Sequence, residues 1–252
     1  MVLKLFRRAI ESAPPAAQVP AGTRLYAIGD IHGRLDLLDQ LLFRIEADNR
    51  TRGDGSTQLI FLGDLVDRGP NSAGVVQRAL EIRQSGRPAR FLMGNHEEVF
   101  LKALNGSLEA LRFFVKIGGR ATILSYGFDE AEYDRLDYAE LLPELVRRVP
   151  AEHVAFLRAF EDRIAIGDYL FVHAGVRPRV PLDEQSGGDL RWIRSEFLDF
   201  RGDHGAVVVH GHTITDQVEE RPNRIGIDTG AFASGRLTAL GLEGSDRWYL
   251  ST

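Results

Sequence analysis

Five short clusters of glycine, aspartate and histidine punctuate the chain, and each follows an apolar run of strand length. They are Gly29-Asp30-Ile31-His32-Gly33, Gly63-Asp64-Leu65-Val66-Asp67-Arg68-Gly69, Gly94-Asn95-His96-Glu97, Val172-His173-Ala174-Gly175 and His210-Gly211-His212-Thr213. An open α/β sheet gathers polar groups of this kind at its strand ends, where binding sites assemble. The intervening pattern fits such a sheet. Residues 24–28, Thr57 to Leu62 and Ala89 to Met93 read as strands. Leu35 to Ala47 reads as a helix with Leu38, Leu41, Leu42 and Ile45 on one face, and Ser72 to Gln84 as a helix capped by Ser72. A mostly helical stretch, about 97–161, is broken at Gly118-Gly119 and Pro150. Strands resume near 163–173 and 206–210, and 224–228, 236–242 and 247–250 form a closing series. A strand–helix alternation with an antiparallel tail predicts a mixed α/β sandwich, not a barrel.

The 252 residues suffice for one large domain, placed at 23–252 with the helical stretch as an insertion. Residues 1–22 form an N-terminal segment ending in a Pro/Ala-rich linker, where Pro14, Pro15 and Pro20 forbid a helix interior. Met1 to Ile10 mixes apolar and basic residues. It reads as a loosely ordered or self-docked terminus, with a short amphipathic helix making weak peripheral contact with a membrane or partner as the alternative. No apolar run approaches the ~20 residues of a transmembrane segment, so a cytoplasmic location is expected.

There is no cysteine, which excludes thiolate nucleophiles and thiolate metal sites. Any metal must be held by His, Asp, Glu or Asn, a donor set suited to Mn, Fe, Zn or Mg. The net charge of −5 argues against a nucleic-acid partner. Five of the seven histidines lie in the clusters; only His153 and His204 fall outside. A lone histidine is usually a hydrogen-bonded structural residue, but five at strand ends among Gly and Asp are poorly explained that way. Asp30 and His32, two apart, point the same way from an extended backbone. Two dications held by two aspartates would leave a net charge of about +2 facing a phosphate.

With these motifs in place, the sequence resembles the phosphoprotein-phosphatase family of calcineurin-like metallophosphoesterases in its compact bacterial and phage form. Its GDxHG, GDxxDRG and GNHE motifs and two later histidines occur here in order. The resemblance implies a four-layer αββα sandwich of two mixed sheets flanked by helices, with a dinuclear metal site at the sheet edge. It implies that Asp30, His32 and Asp64 bind one divalent ion, and that Asp64, Asn95, His173 and His212 bind the other. Mn²⁺ is the first expectation, with Fe, Zn, Ni and Co as alternatives. Asp64 would bridge, and Asn95 would also touch substrate. His96 would be the general acid, oriented by Asp67, in an in-line attack by a water activated between the metals. Arg68 and Arg194 would grip the phosphate, with Arg191 as the nearby alternative to Arg194. Motif alignment, and not chemistry alone, selects His212 over His210.

Each residue also has a plainer reading. Asp67 and Arg68 would serve as a turn-stabilising pair, Asp30 and Asp64 as helix caps, and Trp192 and Phe197 as core. Asp228 is expected to support the site without joining it. The expected activity is phosphomonoester hydrolysis by a serine/threonine protein phosphatase, acting on a phosphorylated protein or small molecule. The alternative is a symmetrical bis(5'-nucleosyl)-tetraphosphatase. That group typically carries GDLVARG and GNHD where this chain has Asp67 and Glu97. A non-catalytic metal- or phosphate-binding scaffold is the remote third reading.

Overall fold

Side-chain alternation along the strands sets the layers. In the computed structural model, which describes residues 16–53 and 55–252, the first strand, β1 (Thr23–Ile28), sends Leu25 and Ala27 to one face and Tyr26 and Ile28 to the other. β2 (Ser56–Phe61) and β3 (Ala89–Phe91) lie parallel to it in succession. The C-terminal hairpin of β9 (Thr238–Glu243) and β10 (Asp246–Ser251) adds on the other side of β1, antiparallel. This first sheet has the order β10-β9-β1-β2-β3.

The second sheet has the order β4-β5-β6-β8-β7. It is built from β4 (Arg163–Ile166), β5 (Tyr169–Val172), β6 (Val207–His210), β7 (Glu219–Arg221) and β8 (Arg224–Gly226). Both sheets mix parallel and antiparallel pairs. Between them, Leu25, Ala27, Ile60 and Leu240 meet Tyr169, Phe171, Val209 and Ile225 in one buried cluster.

On the outer face of the first sheet pack α1 (Leu35–Thr51), α2 (Ser72–Gln84) and α3 (Asn95–Leu104), together with much of the helical insertion. The insertion continues as α4 (Leu108–Phe114), a π-turn at Val115–Gly119, α5 (Arg120–Ser125), α6 (Glu130–Arg135), α7 (Tyr138–Arg148) and α8 (Ala151–Arg158). The short α9 (Gly187–Trp192) and α10 (Ser195–Leu198) cover the outer face of the second sheet through Leu190, Ile193 and Phe197. α11 (Ala231–Ser234) is a single turn near the C-terminal hairpin. The architecture is therefore the expected αββα sandwich. No helix among the described residues is long and apolar enough to cross a membrane.

Several local expectations change. The single strand expected at 163–173 is a hairpin, because Gly167 adopts φ 59° and turns the chain between β4 and β5. β7 is an additional strand; its Glu-Glu-Arg sequence carries no apolar signal. Asn71, not Ser72, caps α2, accepting from Gly74 N at 2.9 Å. In the proline-rich segment, Val19 is buried between the sheets and its N–H donates to Gly244 O at 2.9 Å. Residues 1–10, read as amphipathic, lie outside the described residues.

Candidate metal centre

The loops after β1 and β2 are stitched together by main-chain bonds. Ile31 N and His32 N both donate to Asp64 O, at 3.1 and 2.9 Å, and Gly33 N donates to Leu65 O at 2.8 Å. These bonds hold Asp30, His32, Asp64 and Asp67 over one edge of the sandwich. The backbone there is unusual. Six described non-glycine residues have positive φ, and five are His32 (46°), Asp64 (49°), Asp67 (75°), Arg68 (68°) and His212 (62°). Such conformations persist where the surroundings impose them, and they concentrate at functional sites. Gly94 is dictated by the same crowding, since a Cβ there would collide with Asp64 Oδ1.

Asp64 sits at the centre. Its Oδ2 lies 3.6 Å from His32 Nε2, 3.9 Å from His96 Nε2 and 3.4 Å from His173 Nε2. Two donor groups, His32–Asp64–His96 and Asp64–His173–His212, share this one carboxylate. His173 is bonded through Nδ1 to Leu62 O at 2.8 Å, so its Nε2 faces the site. That nitrogen stands 3.0 Å from Asn95 Oδ1 and 3.2 Å from His212 Nδ1. Four electron-rich atoms converging this closely need positive charge among them. His32 likewise donates from Nδ1 to Val66 O (2.8 Å) and turns Nε2 inward.

Asp30 approaches from the opposite side. Its Oδ2 accepts from His212 N at 2.9 Å, while Oδ1 is buried without a hydrogen-bond partner. His212 Nε2 and Asp228 Oδ2 are buried and unpartnered too. Burial first, then the neighbouring carboxylates of Asp228 and Asp64, pushes Asp30 well above the usual carboxylate range. Burial drives His32 down to about 3 and His212 down to about 2, so both present neutral imidazole. Neutral imidazoles, crowded carboxylates and orphaned lone pairs are the donor set that a divalent cation satisfies.

His96 and Asp67 form a separate pair. His96 Nδ1 lies 2.5 Å from Asp67 Oδ2, and both side chains are buried. The Arg68 fork donates from Nη1 to His32 Nε2 (2.8 Å) and from Nη2 to His96 Nε2 (3.0 Å). At the facing wall, Arg194 is exposed and contributes to the positive field that lowers His212. Arg191 is instead committed to Asp162 (2.9 Å) and Glu98 (3.3 Å). Among the described residues no ion pair holds Arg194. His210 points away, bonded to Gly211 O (3.1 Å) and packed edge-on against Phe197 at 5.0 Å.

The family model for calcineurin-like phosphoesterases matches residues 23–233. The chain belongs to this family. It is a hydrolase, and the divalent metal ions that such phosphoesterases use suit the donor set just described. The chain is similar to a symmetrical bis(5'-nucleosyl)-tetraphosphatase of Acidovorax sp. (strain JS42), 32% identical over 73% of this chain and 51% of that protein. It thus spans about half the length of that relative. It also matches an asymmetrical bis(5'-nucleosyl)-tetraphosphatase, PrpE, of Anoxybacillus flavithermus, 26% identical over 84% of this chain and 88% of the relative. Among solved structures, a putative diadenosine tetraphosphatase superposes with a TM-score of 0.62 at 24% identity, covering 94% of this chain and 98% of the other. A cold-active protein-tyrosine phosphatase of a Shewanella species gives 0.54 at 19% identity, over 92% and 83%. These two likenesses establish the fold.

Two residues of the phosphoesterase site went unremarked as functional in the sequence. Glu97, fully buried, accepts from Asp64 N (2.8 Å), Leu65 N (2.8 Å), Val66 N (3.1 Å) and Gly94 N (3.1 Å), and so latches the loop that presents Asp64. The GNHE motif held that signal. Thr122, from the insertion, donates to Asp67 Oδ1 at 2.7 Å and accepts from Asp67 N at 2.8 Å. No local pattern marks it. The π-turn that breaks the insertion at Gly118 also touches the site, through Arg68 N donating to Gly118 O at 3.1 Å. Of the two aromatics read as core, Phe197 is fully buried. Trp192 is 37% exposed, its indole N–H donating to Glu98 at 3.0 Å.

Proposed function

We propose that this phosphoesterase hydrolyses bis(5'-nucleosyl) tetraphosphates, cutting them asymmetrically to a nucleoside triphosphate and a nucleoside monophosphate. The carrying observation is alignment with tetraphosphatases over most of both chains: an asymmetrical one over 84% of this chain and 88% of its own length, and a symmetrical one over 86% and 91%, so the choice of asymmetrical cleavage rests on Asp67. The Asp67–His96 contact agrees, because the symmetrical group typically replaces that aspartate. The serine/threonine phosphatase expected from the motifs becomes the second reading, favoured by the same contact.

In this reading, Asp30, His32 and Asp64 would hold one metal ion, and Asp64, Asn95, His173 and His212 would hold the other. Two such ions, Mn²⁺ first, would supply a water of lowered pKa and neutralise charge on the phosphoryl group. Arg68 and Arg194 clamp phosphate oxygens, for which a planar guanidinium fork is well shaped. His96 delivers a proton from Nε2 to the departing oxygen, and Asp67 fixes the ring by holding Nδ1–H. Asn95 lies beside His173, where it reaches substrate as well.

The test is product analysis of diadenosine tetraphosphate hydrolysis by the Mn²⁺-loaded protein, run beside a phosphoserine peptide. ATP plus AMP is the expected outcome. Two ADP would assign the symmetrical reaction, and faster phosphate release from the peptide would restore the protein-phosphatase reading.

A further inference from the structure

Arg68 connects the metal centre to an open cleft of about 690 Å³, bounded by Arg34, Leu35, Arg68, Pro70, Asn71 and Phe232. That volume falls within the range of small-molecule sites. We propose that this cleft receives one nucleoside of a dinucleoside polyphosphate, with the Phe232 ring as the stacking platform for its base. The proposal rests on the tetraphosphatase reading for its substrate.

Position carries the first part of the case. The Arg68 guanidinium lies 4.8 Å over the Phe232 ring while its two nitrogens reach the imidazoles of His32 and His96. A phosphoryl group gripped by Arg68 therefore sits about one ribose away from an aromatic face. The His32 ring also abuts Phe232 edge-to-face, with centroids 5.5 Å apart.

The ring is held in place before any ligand arrives. Phe232 rides on α11, a turn bracketed by Gly230 (φ 68°) and Gly235 (φ 72°), both in the left-handed region. Arg34 Nη1 donates to Ala231 O at 3.0 Å and ties that turn to the start of α1. Ala231 itself is buried, so the half-buried ring behind it has a fixed anchor. A pre-positioned aromatic loses little freedom on binding, which favours a stacked base.

Chemistry supports a base over a further phosphate. The acidic rim is neutralised, with Asp36 paired to Arg34 at 2.9 Å and Asp39 to Arg78 at 3.0 Å. Leu35 and Pro70 add apolar walls. Asn71 accepts from Gly74 N through Oδ1, which leaves its amide N–H₂ to donate to a ring nitrogen or carbonyl. An exposed aromatic pair elsewhere, Phe113 and Trp192 at 6.2 Å, lines a smaller cleft of about 370 Å³ that includes none of the metal-centre residues.

The experiment measures dissociation constants of AMP and of ribose 5-phosphate by calorimetry on the full-length Mn²⁺-loaded protein and its variants. The base alone separates the two ligands, so their ratio cancels any general damage to the phosphate site. Wild type is expected to prefer AMP about 10-fold, on the scale of base–aromatic stacking. Phe232→Ala should bring the ratio near one, whereas Phe232→Tyr and Trp192→Ala should keep it. An unchanged ratio in Phe232→Ala, no preference in wild type, or loss of preference in Trp192→Ala would each overturn the proposal. If Phe232-dependent AMP preference appears but diadenosine tetraphosphate is left intact, the tetraphosphatase reading falls and the cleft stands as a site for another nucleotide.

Discussion

His96 faces Asp67 across 2.5 Å, Nδ1 to Oδ2, with both groups sealed from solvent. The contact holds Nδ1–H and turns Nε2 toward Arg68 and Asp64, where it must take up a proton before it can act as an acid. Its value depends on the leaving group. His96→Ala should lower kcat about 10²–10⁴-fold with an alkyl phosphate such as phosphoserine, whose alkoxide leaves poorly. With diadenosine tetraphosphate the loss should be much smaller, because a phosphate departs readily without a proton. Equal losses on both substrates would remove His96 from the acid role.

Asp64 is shared by both donor groups. Asp64→Asn should therefore bind fewer than two metal ions per chain, as read by elemental analysis after dialysis against Mn²⁺, and lose most activity. A variant retaining two ions and wild-type turnover would end the bridging assignment.

The two arginines near α9 should separate cleanly. Arg194→Ala should raise KM about 10-fold, the loss of roughly one charge-assisted hydrogen bond to phosphate. Arg191→Ala breaks ion pairs with Asp162 and Glu98 and should leave KM close to wild type. The reverse pattern would make Arg191 the phosphate clamp.

Stability depends on a buried cation far from the clusters. Arg24 is fully buried and bonds Glu243 through Nε (2.9 Å) and Nη2 (3.0 Å), as well as Asn49 Oδ1 at 2.7 Å. Glu243→Ala leaves that guanidinium without its counter-charge and should cost about 3 kcal/mol in denaturant unfolding, with activity per folded molecule retained. A loss below about 0.5 kcal/mol would show that the backbone carbonyls around Arg24 suffice.

A pH effect is expected from His153, which lies in α8 between Tyr126 Oη (3.1 Å) and Gln77 Oε1 (2.9 Å). Burial lowers its pKa below the ordinary 6.5, with Glu152 pulling the other way. Between the two pKa values the unfolded chain binds more protons than the folded one. This contribution is complete above pH 6.5 and is lost as pH falls toward the folded value. His153→Gln should flatten the rise in unfolding free energy between pH 5 and pH 7; an identical slope would assign the pH dependence elsewhere.

The site was legible where it is local. Asp30, His32, Asp64, Asp67, His96, His173 and His212 stand at strand ends, and strand ends are readable from apolar runs and glycines. Their convergence followed from sheet order. What escaped is contact between distant segments. Thr122 meets Asp67 across 55 residues, and Arg24 meets Glu243 across 219. Neither pairing leaves a periodic trace. Gly167 passed as part of a strand because its flanks, Arg163 to Ile166 and Tyr169 to Val172, are both apolar enough to merge into one run. Glu97 was visible as a motif letter, but its four main-chain donors belong to tertiary structure. The ranking of activities depended on two motif positions, a narrower basis than relatives aligned over most of the chain.

Five site residues hold left-handed backbone that costs a non-glycine residue roughly 1–2 kcal/mol apiece. Together that approaches the whole net margin of an ordinary domain, about 5–15 kcal/mol. A lineage selected only for durability would replace them with glycine and gain robustness, while one selected for turnover must keep them and depend on the sandwich beneath. Glycine at His32, Asp64 or His212 in a sister chain would thus mark a protein that has exchanged catalysis for endurance.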